Sequence, residues 1–162
     1  MQNHRTEQSV TATVATVAPF SCTNAGEARK RILVIDDDPV ILKTLSITLK
    51  SGGYDVMTTN ESAAALSLMH DWTPDVLLVD IGLAPDVDLH WDGFQVAQWI
   101  RRMNGKIPTI MISGSATAEF VEQSAANGAQ GFFAKPIDKN LLLKTIGSVL
   151  SEASTDSAAG NN

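Results

Sequence analysis

Five short segments rich in apolar and β-branched residues recur along the chain between residues 31 and 134, each followed by polar or turn-forming residues. Short apolar runs of this length are typical of strands that are buried on both faces of a parallel sheet. The segments are RILVI from residue 31, YDVMTT from 54, DVLLVD from 75, PTIMIS from 108 and GFFA from 131.

The residues between and after these segments carry apolar positions at helical spacing. In the first such stretch, Ile41, Leu45 and Leu49 recur on one side, Pro39 suits a first helical turn, and Gly52 ends the pattern. Four more follow: ESAAALSLMHD, DGFQVAQWIRRMN, ATAEFVEQSAANG and DKNLLLKTIGSVLSE. We expect Asp38 to cap the first helix and Asn60 to cap the second. Five strands alternating with five helices predict an α/β fold, a doubly wound parallel sheet with helices on both faces.

The two ends of the chain lack this organisation. Residues 1–29 are rich in Thr, Ser, Ala and Asn without a sustained period, and we expect a flexible N-terminal arm. Residues 152–162 read as a disordered C-terminal tail. The folded domain is therefore predicted to span residues 30–151.

Composition narrows the possible functions. The chain has 162 residues, a net charge of −6 and a single cysteine, so an intrachain disulfide is impossible. An acidic chain disfavours nucleic-acid binding, which needs a basic surface. No apolar stretch reaches the roughly 18 residues of a membrane span. We therefore expect a cytoplasmic protein with no membrane or nucleic-acid partner.

Chemically active side chains follow the predicted strands. Asp36 and Asp37 follow the first strand, Asp80 ends the third, Ser113 ends the fourth, and Lys135 follows the fifth. Parallel strands joined by right-handed crossovers bring these ends to one edge, where such sheets bind ligands. Three carboxylates suit Mg²⁺, while a lysine and a hydroxyl could stabilise a phosphoryl group held on an aspartate.

The segments ILVIDDDP, DVLLVD, TIMISG and GFFAKPID, in this order and spacing, resemble the receiver domain of two-component response regulators over residues 31–151. The resemblance implies a flavodoxin-like sheet with strand order 2-1-3-4-5. It implies that Asp80 accepts a phosphoryl group from a phosphohistidine, and that Asp36, Asp37, Asp80 and the backbone carbonyl of Gly82 hold Mg²⁺.

By the same resemblance, Ser113 is the switch hydroxyl, Lys135 binds the phosphoryl group, and Phe132 changes rotamer on activation. Phe132 could equally be an ordinary core residue. The implied partners are a sensor histidine kinase or a histidine phosphotransfer protein and an unknown downstream protein. We expect a stand-alone receiver that catalyses only its own phosphorylation and dephosphorylation. Whether phosphorylation causes dimerisation stays open.

The segment after Asp80 departs from the family. If Asp92 and Gly93 open the third helix, the preceding loop carries about five extra residues. Three interpretations remain: an acidic surface loop, a partner-recognition element, or a second metal site. The residues concerned are Asp86, Asp88, His90 and Trp91.

Two other functions must be weighed against phosphotransfer. One is a pseudo-receiver, a protein-binding module that no longer accepts phosphate. The other is a phosphatase of the haloacid dehalogenase type, because VIDDD after a strand resembles the start of that family's aspartyl-phosphate motif. Such phosphatases carry the nucleophile on the first strand and need a larger fold, whereas Asp80 lies on the third strand.

Overall fold

The computed structural model describes residues 28–84 and 91–158. Within these residues, five strands alternate with five helices along the chain. The strands are β1 (Arg31–Ile35), β2 (Asp55–Thr59), β3 (Val76–Asp80), β4 (Thr109–Ser113) and β5 (Gly131–Ala134). The helices are α1 (Pro39–Ser51), α2 (Ser62–Asp71), α3 (Gly93–Asn104), α4 (Ala118–Ala126) and α5 (Lys139–Ala158).

The strands form one parallel sheet in the order β2-β1-β3-β4-β5, which confirms the predicted fold class and strand order. Ile35 pairs with Val79 between β1 and β3, and Asp80 pairs with Ile112 between β3 and β4. The carboxyl ends of the three central strands therefore lie side by side at one edge of the sheet.

Alternate residues of the strands face two apolar cores. Ile32 and Val34 of β1 belong to the core that α1 and α5 cover, while Leu33 and Ile35 belong to the core beneath α2 and α3. Burial on both faces explains why the central strands are continuous apolar runs. A rigid sheet of this kind fixes the residues that follow its strands.

Side-chain caps fix where several helices begin. Asp38 caps α1 by accepting a hydrogen bond from the N–H of Val40 at 2.8 Å, as its position before Pro39 suggested. Asn60, which we expected to cap α2, does not; Glu61 is the cap residue, and its side chain makes no capping hydrogen bond. Thr117 caps α4 by accepting a hydrogen bond from the N–H of Phe120 at 3.3 Å.

Helix α5 extends to Ala158, seven residues beyond the boundary that the sequence pattern placed at 151. Its last two turns contain Ala and Glu together with Ser154, whose hydroxyl donates to the carbonyl of Leu150. Such residues tolerate a helix although they supply no apolar period. Among residues 28–84 and 91–158, no helix has both the length and the apolar character needed to cross a membrane.

Candidate functional site

Three carboxylates meet where β1 and β3 end. Asp36 and Asp37 follow β1 directly, and Asp80 is the last residue of the neighbouring β3. One carboxylate oxygen from each residue lies within 4.8 Å of the others. Because like charges at this distance repel, the pocket requires a positive charge for compensation.

Lys135 supplies part of that charge. Its Nζ lies 2.8 Å from Oδ2 of Asp36 and 3.0 Å from Oδ2 of Asp80. The backbone N–H of Lys135 donates to the carbonyl of Ser113 at 2.8 Å, and this hydrogen bond positions the backbone of Lys135 beside the end of β4. The ammonium of Lys135 therefore contacts carboxylates at the ends of two neighbouring strands, β1 and β3.

Burial sets the electrostatics of the pocket. Asp36 is fully buried and Asp80 is 3% exposed, whereas Asp37 is exposed. Burial raises the pKa of Asp36 above its ordinary value of 3.8, and this effect outweighs the nearby ammonium of Lys135. Burial also opposes the charge of Lys135, but its contacts with Asp36 and Asp80 prevail and raise the pKa of the ammonium.

Backbone N–H groups hold one oxygen of each buried carboxylate. Oδ1 of Asp36 accepts from the N–H of Asp38 at 2.8 Å, and Oδ1 of Asp80 accepts from the N–H of Gly82 at 3.1 Å. Oδ2 of Asp36 is buried and forms an ion pair with Nζ of Lys135 at 2.8 Å. Burying a carboxylate is costly unless cations and hydrogen bonds compensate its charge.

These features fit a hard divalent cation. Mg²⁺ prefers oxygen ligands and retains several waters, so it needs only a few carboxylates from the protein. Asp36, Asp37 and Asp80 provide them, each with one carboxylate oxygen close to the other two. Gly82 follows closely after Asp80, and its lack of a side chain keeps the entrance to the carboxylates open.

The predicted switch residues lie beside this pocket. Ser113 ends β4, one residue beyond the Ile112 that pairs with Asp80, and its Oγ accepts from the N–H of Ser115 at 3.1 Å. Phe132 pairs with Met111 in the sheet and is partly buried against the core beneath α2 and α3. That packing suits both interpretations of Phe132, a core residue and a movable ring.

Sequence reasoning missed the role of Gly93. This first residue of α3 packs so closely on Asp80 that an added Cβ would lie 2.8 Å from the carbonyl carbon of Asp80 and 2.9 Å from Cα of Ile81. Asp92 caps the helix through a reciprocal pair of hydrogen bonds with Gln95. The available signal was a glycine directly after a capping aspartate at the end of a long loop.

Of the four loop residues singled out in the sequence, only Trp91 is described. Asp86, Asp88 and His90 lie outside the described residues. Trp91 is partly buried, and its ring centroid is 6.2 Å from that of Trp99 on α3. Trp91 therefore packs along α3 at the point where the loop rejoins the fold.

Acidic residues at the ends of β1 and β3, a hydroxyl at the end of β4 and a lysine after β5 form a receiver-type pocket on a doubly wound sheet. The family model for the response regulator receiver domain matches residues 32–147. The chain belongs to this family, whose members are signalling modules of two-component systems. Phosphorylation, Mg²⁺ binding in an acidic pocket and interaction with histidine kinases or phosphotransfer proteins are typical of the family.

Individual relatives agree with this assignment. The chain is 34% identical over 122 residues to the DNA-binding dual master transcriptional regulator RpaA of Synechocystis sp., covering 74% of this chain and 48% of that regulator. It thus spans about half the length of this curated relative.

Among solved structures, a CheY-like receiver domain protein from Methanospirillum hungatei is 27% identical with a TM-score of 0.71, covering 80% of this chain and 99% of that one. A response regulator from Burkholderia pseudomallei, solved with a phosphorylated aspartic acid and a calcium ion, is 26% identical with a TM-score of 0.65. That match covers 82% of this chain and 75% of the other.

Proposed function

We propose that this protein accepts a phosphoryl group on Asp80 from a phosphohistidine and passes the signal on by binding a partner protein. The observation that carries the proposal is the position of Lys135 Nζ, which lies 2.8 Å from Asp36 and 3.0 Å from Asp80 in a pocket of three carboxylates. The phosphorylated aspartate in the Burkholderia pseudomallei relative supports the same chemistry.

In the proposed reaction, a carboxylate oxygen of Asp80 attacks the phosphorus of the phosphohistidine. A P–O bond forms as the P–N bond breaks, and the histidine leaves with the electron pair of that bond. Bound Mg²⁺ would neutralise the charge on the phosphoryl oxygens. Asp36 and Asp37 would hold the ion together with Asp80 and the carbonyl of Gly82, and Lys135 would contact a phosphoryl oxygen.

The phosphoryl group would act as a switch through charge and hydrogen bonding. It adds about −1.5 to −2 charges and three acceptor oxygens. Ser113 Oγ and Lys135 Nζ are the donors proposed to follow it, and Phe132 is proposed to turn inward as β4 adjusts. Such a change biases an existing two-state equilibrium and alters which partners bind.

The proposed donor is a histidine kinase or a histidine phosphotransfer protein, which implies a cytoplasmic place of action because the phosphoryl group originates from ATP, the substrate of the kinase. The long loop after Asp80 is proposed to select the donor. Replacing residues 85–90 with a shorter loop should leave labelling by acetyl phosphate within a few-fold but change transfer from the kinase by much more. Equal loss of both activities would place the loop in the chemistry instead.

Incubation with acetyl phosphate and Mg²⁺, followed by intact-protein and peptide mass spectrometry, tests the proposal. One phosphoryl group, labile as expected of an acyl phosphate, should be added and should map to Asp80. Asp80→Asn should abolish the addition, whereas the matched control Asp71→Asn, on the exposed end of α2, should retain it. Labelling that persists in Asp80→Asn and maps to Asp86 or Asp88 would overturn the assignment.

The same experiment separates the alternatives. A pseudo-receiver would show no labelling of the parent protein at any Mg²⁺ concentration while remaining folded. A phosphatase would release inorganic phosphate from added phosphate esters over many turnovers. The position of Asp80 at the end of β3 favours phosphoacceptance, because the phosphatase motif places its nucleophile after the first strand.

A further inference from the structure

The outer edge of the sheet beside β2 carries unused hydrogen-bonding groups. Among the described strands, β2 pairs only with β1. The N–H of Asp55 donates to the carbonyl of Lys30, and the carbonyl of Thr59 accepts from the N–H of Asp36. Backbone groups alternate in direction along a strand, so those of Val56 and Thr58 point away from β1.

Nothing in the sequence of β2 discourages a further strand from pairing there. Natural edge strands are usually protected by lysines, prolines or bulges. The segment DVMTT has none of these, and its only charge is Asp55 at the start. Val, Met and Thr also favour extended backbone.

An open groove of about 580 Å³ runs beside this edge, between β2 and α2. Its apolar lining includes Met57, Leu68 and Trp72, and Met57 is 36% exposed. Small residues, Ala64 and Ser67, line the same groove. The groove therefore suits small apolar side chains that project from a strand lying along β2.

The chain itself contains such a segment, within the residues that precede the described structure. Across residues 1–27 no period is sustained, but residues 9–14, SVTATV, alternate between polar and apolar positions. Val10, Ala12 and Val14 would face one side, and Ser9, Thr11 and Thr13 the other. The segment contains no charge, glycine or proline, and its six residues are enough to pair along the five residues of β2.

We propose that residues 9–14 dock as a sixth strand, antiparallel to β2, with Val10, Ala12 and Val14 in the groove beside α2. The antiparallel direction gives the shorter connection, because the arm enters the fold at the amino-terminal end of β1, next to the start of β2. Docking in this manner adds main-chain hydrogen bonds for affinity and side-chain pockets for specificity.

The connection is long enough to allow this pairing. Residues 15–27 could span about 40 Å when extended, whereas the new strand would lie about 10 Å from β1, two strand spacings away. A short tether also keeps the segment at an effective concentration of about a millimolar, so weak pairing is sufficient. The expected flexible arm would then comprise residues 1–8 and 15–29 only.

Amide hydrogen exchange by NMR on the full chain tests the proposal. The amides of Val56 and Thr58 should exchange at least about tenfold more slowly in the parent than in the double variant Val10→Asp/Val14→Asp. The matched control, Thr11→Asp/Thr13→Asp, adds the same charge to the opposite face and should retain the protection. Amides of Leu33 and Val34 in the buried β1 should be unchanged in all three proteins, which verifies the fold.

Each other outcome overturns the proposal. Fast exchange of Val56 and Thr58 in all three proteins would mean that the edge is open. Equal protection in all three proteins that increases with protein concentration would identify a second copy of the chain as the occupant. Equal loss of this protection in both double variants would mean that the added charge alone removes it, whichever face of the strand carries the charge.

Discussion

Substituting Gly93 by alanine should displace Asp80, the proposed phosphoacceptor, without changing any charged group of the pocket. The added Cβ would lie 2.8 Å from the carbonyl carbon of Asp80, 2.9 Å from Cα of Ile81, and nearer still to the carbonyl oxygen of Asp80. Carbon atoms in contact prefer about 3.5–4.0 Å, so α3 or the end of β3 must move by about 1 Å. All three neighbouring atoms are backbone atoms, which cannot rotate away.

The expected cost can be judged from overpacking in other cores. Inserting a methyl group into a closely packed site typically costs about 1–3 kcal/mol, and the upper part of this range applies where the backbone must move. The melting temperature should then fall by roughly 5–12 °C. Labelling of Asp80 by acetyl phosphate should slow by at least about tenfold, because a displacement of 1 Å can cost about 100-fold in rate.

Thermal unfolding and the initial rate of acetyl-phosphate labelling measure both effects. Gly114→Ala is the matched control, because a Cβ added at Gly114 meets nothing within 4 Å although this residue directly follows β4. The control should keep both its melting temperature and its labelling rate. If Gly93→Ala matches the parent in both measurements, the close packing of α3 on Asp80 does not position the phosphoacceptor.

Three further variants test the charged groups of the pocket and the proposed switch. Burial raises the pKa of Asp36, so this group contributes stability that is fully present below its unfolded pKa of about 3.8 and lost as pH rises through the folded pKa. Asp36→Asn should therefore raise the melting temperature of the Mg²⁺-free protein at pH 7, and the increase should become smaller towards pH 3. The same variant should be stabilised less by added Mg²⁺. A lower melting temperature at pH 7 would contradict this. Lys135→Gln removes the ammonium between Asp36 and Asp80, and should lower the unfolding free energy of the Mg²⁺-free protein by about 1–3 kcal/mol in urea titrations; unchanged stability would mean that solvent already screens the pair. Ser113→Ala should still be labelled at Asp80 by acetyl phosphate but should respond weakly in partner binding; a full response would remove Ser113 from the switch.

Much of the fold could be predicted because the apolar pattern of each segment agrees with the strand or helix that it forms. The central strands are apolar on both faces, and a strand such as VLLVD has few alternatives to burial in a parallel sheet. The helices were less precisely bounded, because their ends depend on hydrogen bonds. The cap of α2 at Glu61 and the extension of α5 to Ala158 both differ from expectation, since neither is specified by apolar spacing.

The site could be assembled from the sequence only as a set of residue types. The predicted parallel sheet places Asp36, Asp80 and Lys135 at one edge, but it does not give the distances between them. Phe132 remained open between two roles, and the ring's partial burial in the core suits both.

The sequence by itself determined the α/β class, the burial of the strands and the gathering of acidic residues at the strand ends. The apolar pattern identifies each strand and helix, and the order of these elements along the chain implies a parallel sheet whose strands end at one edge. Only the tertiary structure decided that Lys135 contacts two carboxylates and that Gly93 packs on the backbone of Asp80. These contacts join residues far apart in the chain, and their distances depend on how the helices pack on the sheet. Composition and spacing cannot specify such distances, because a shift of about 1 Å leaves the sequence pattern unchanged.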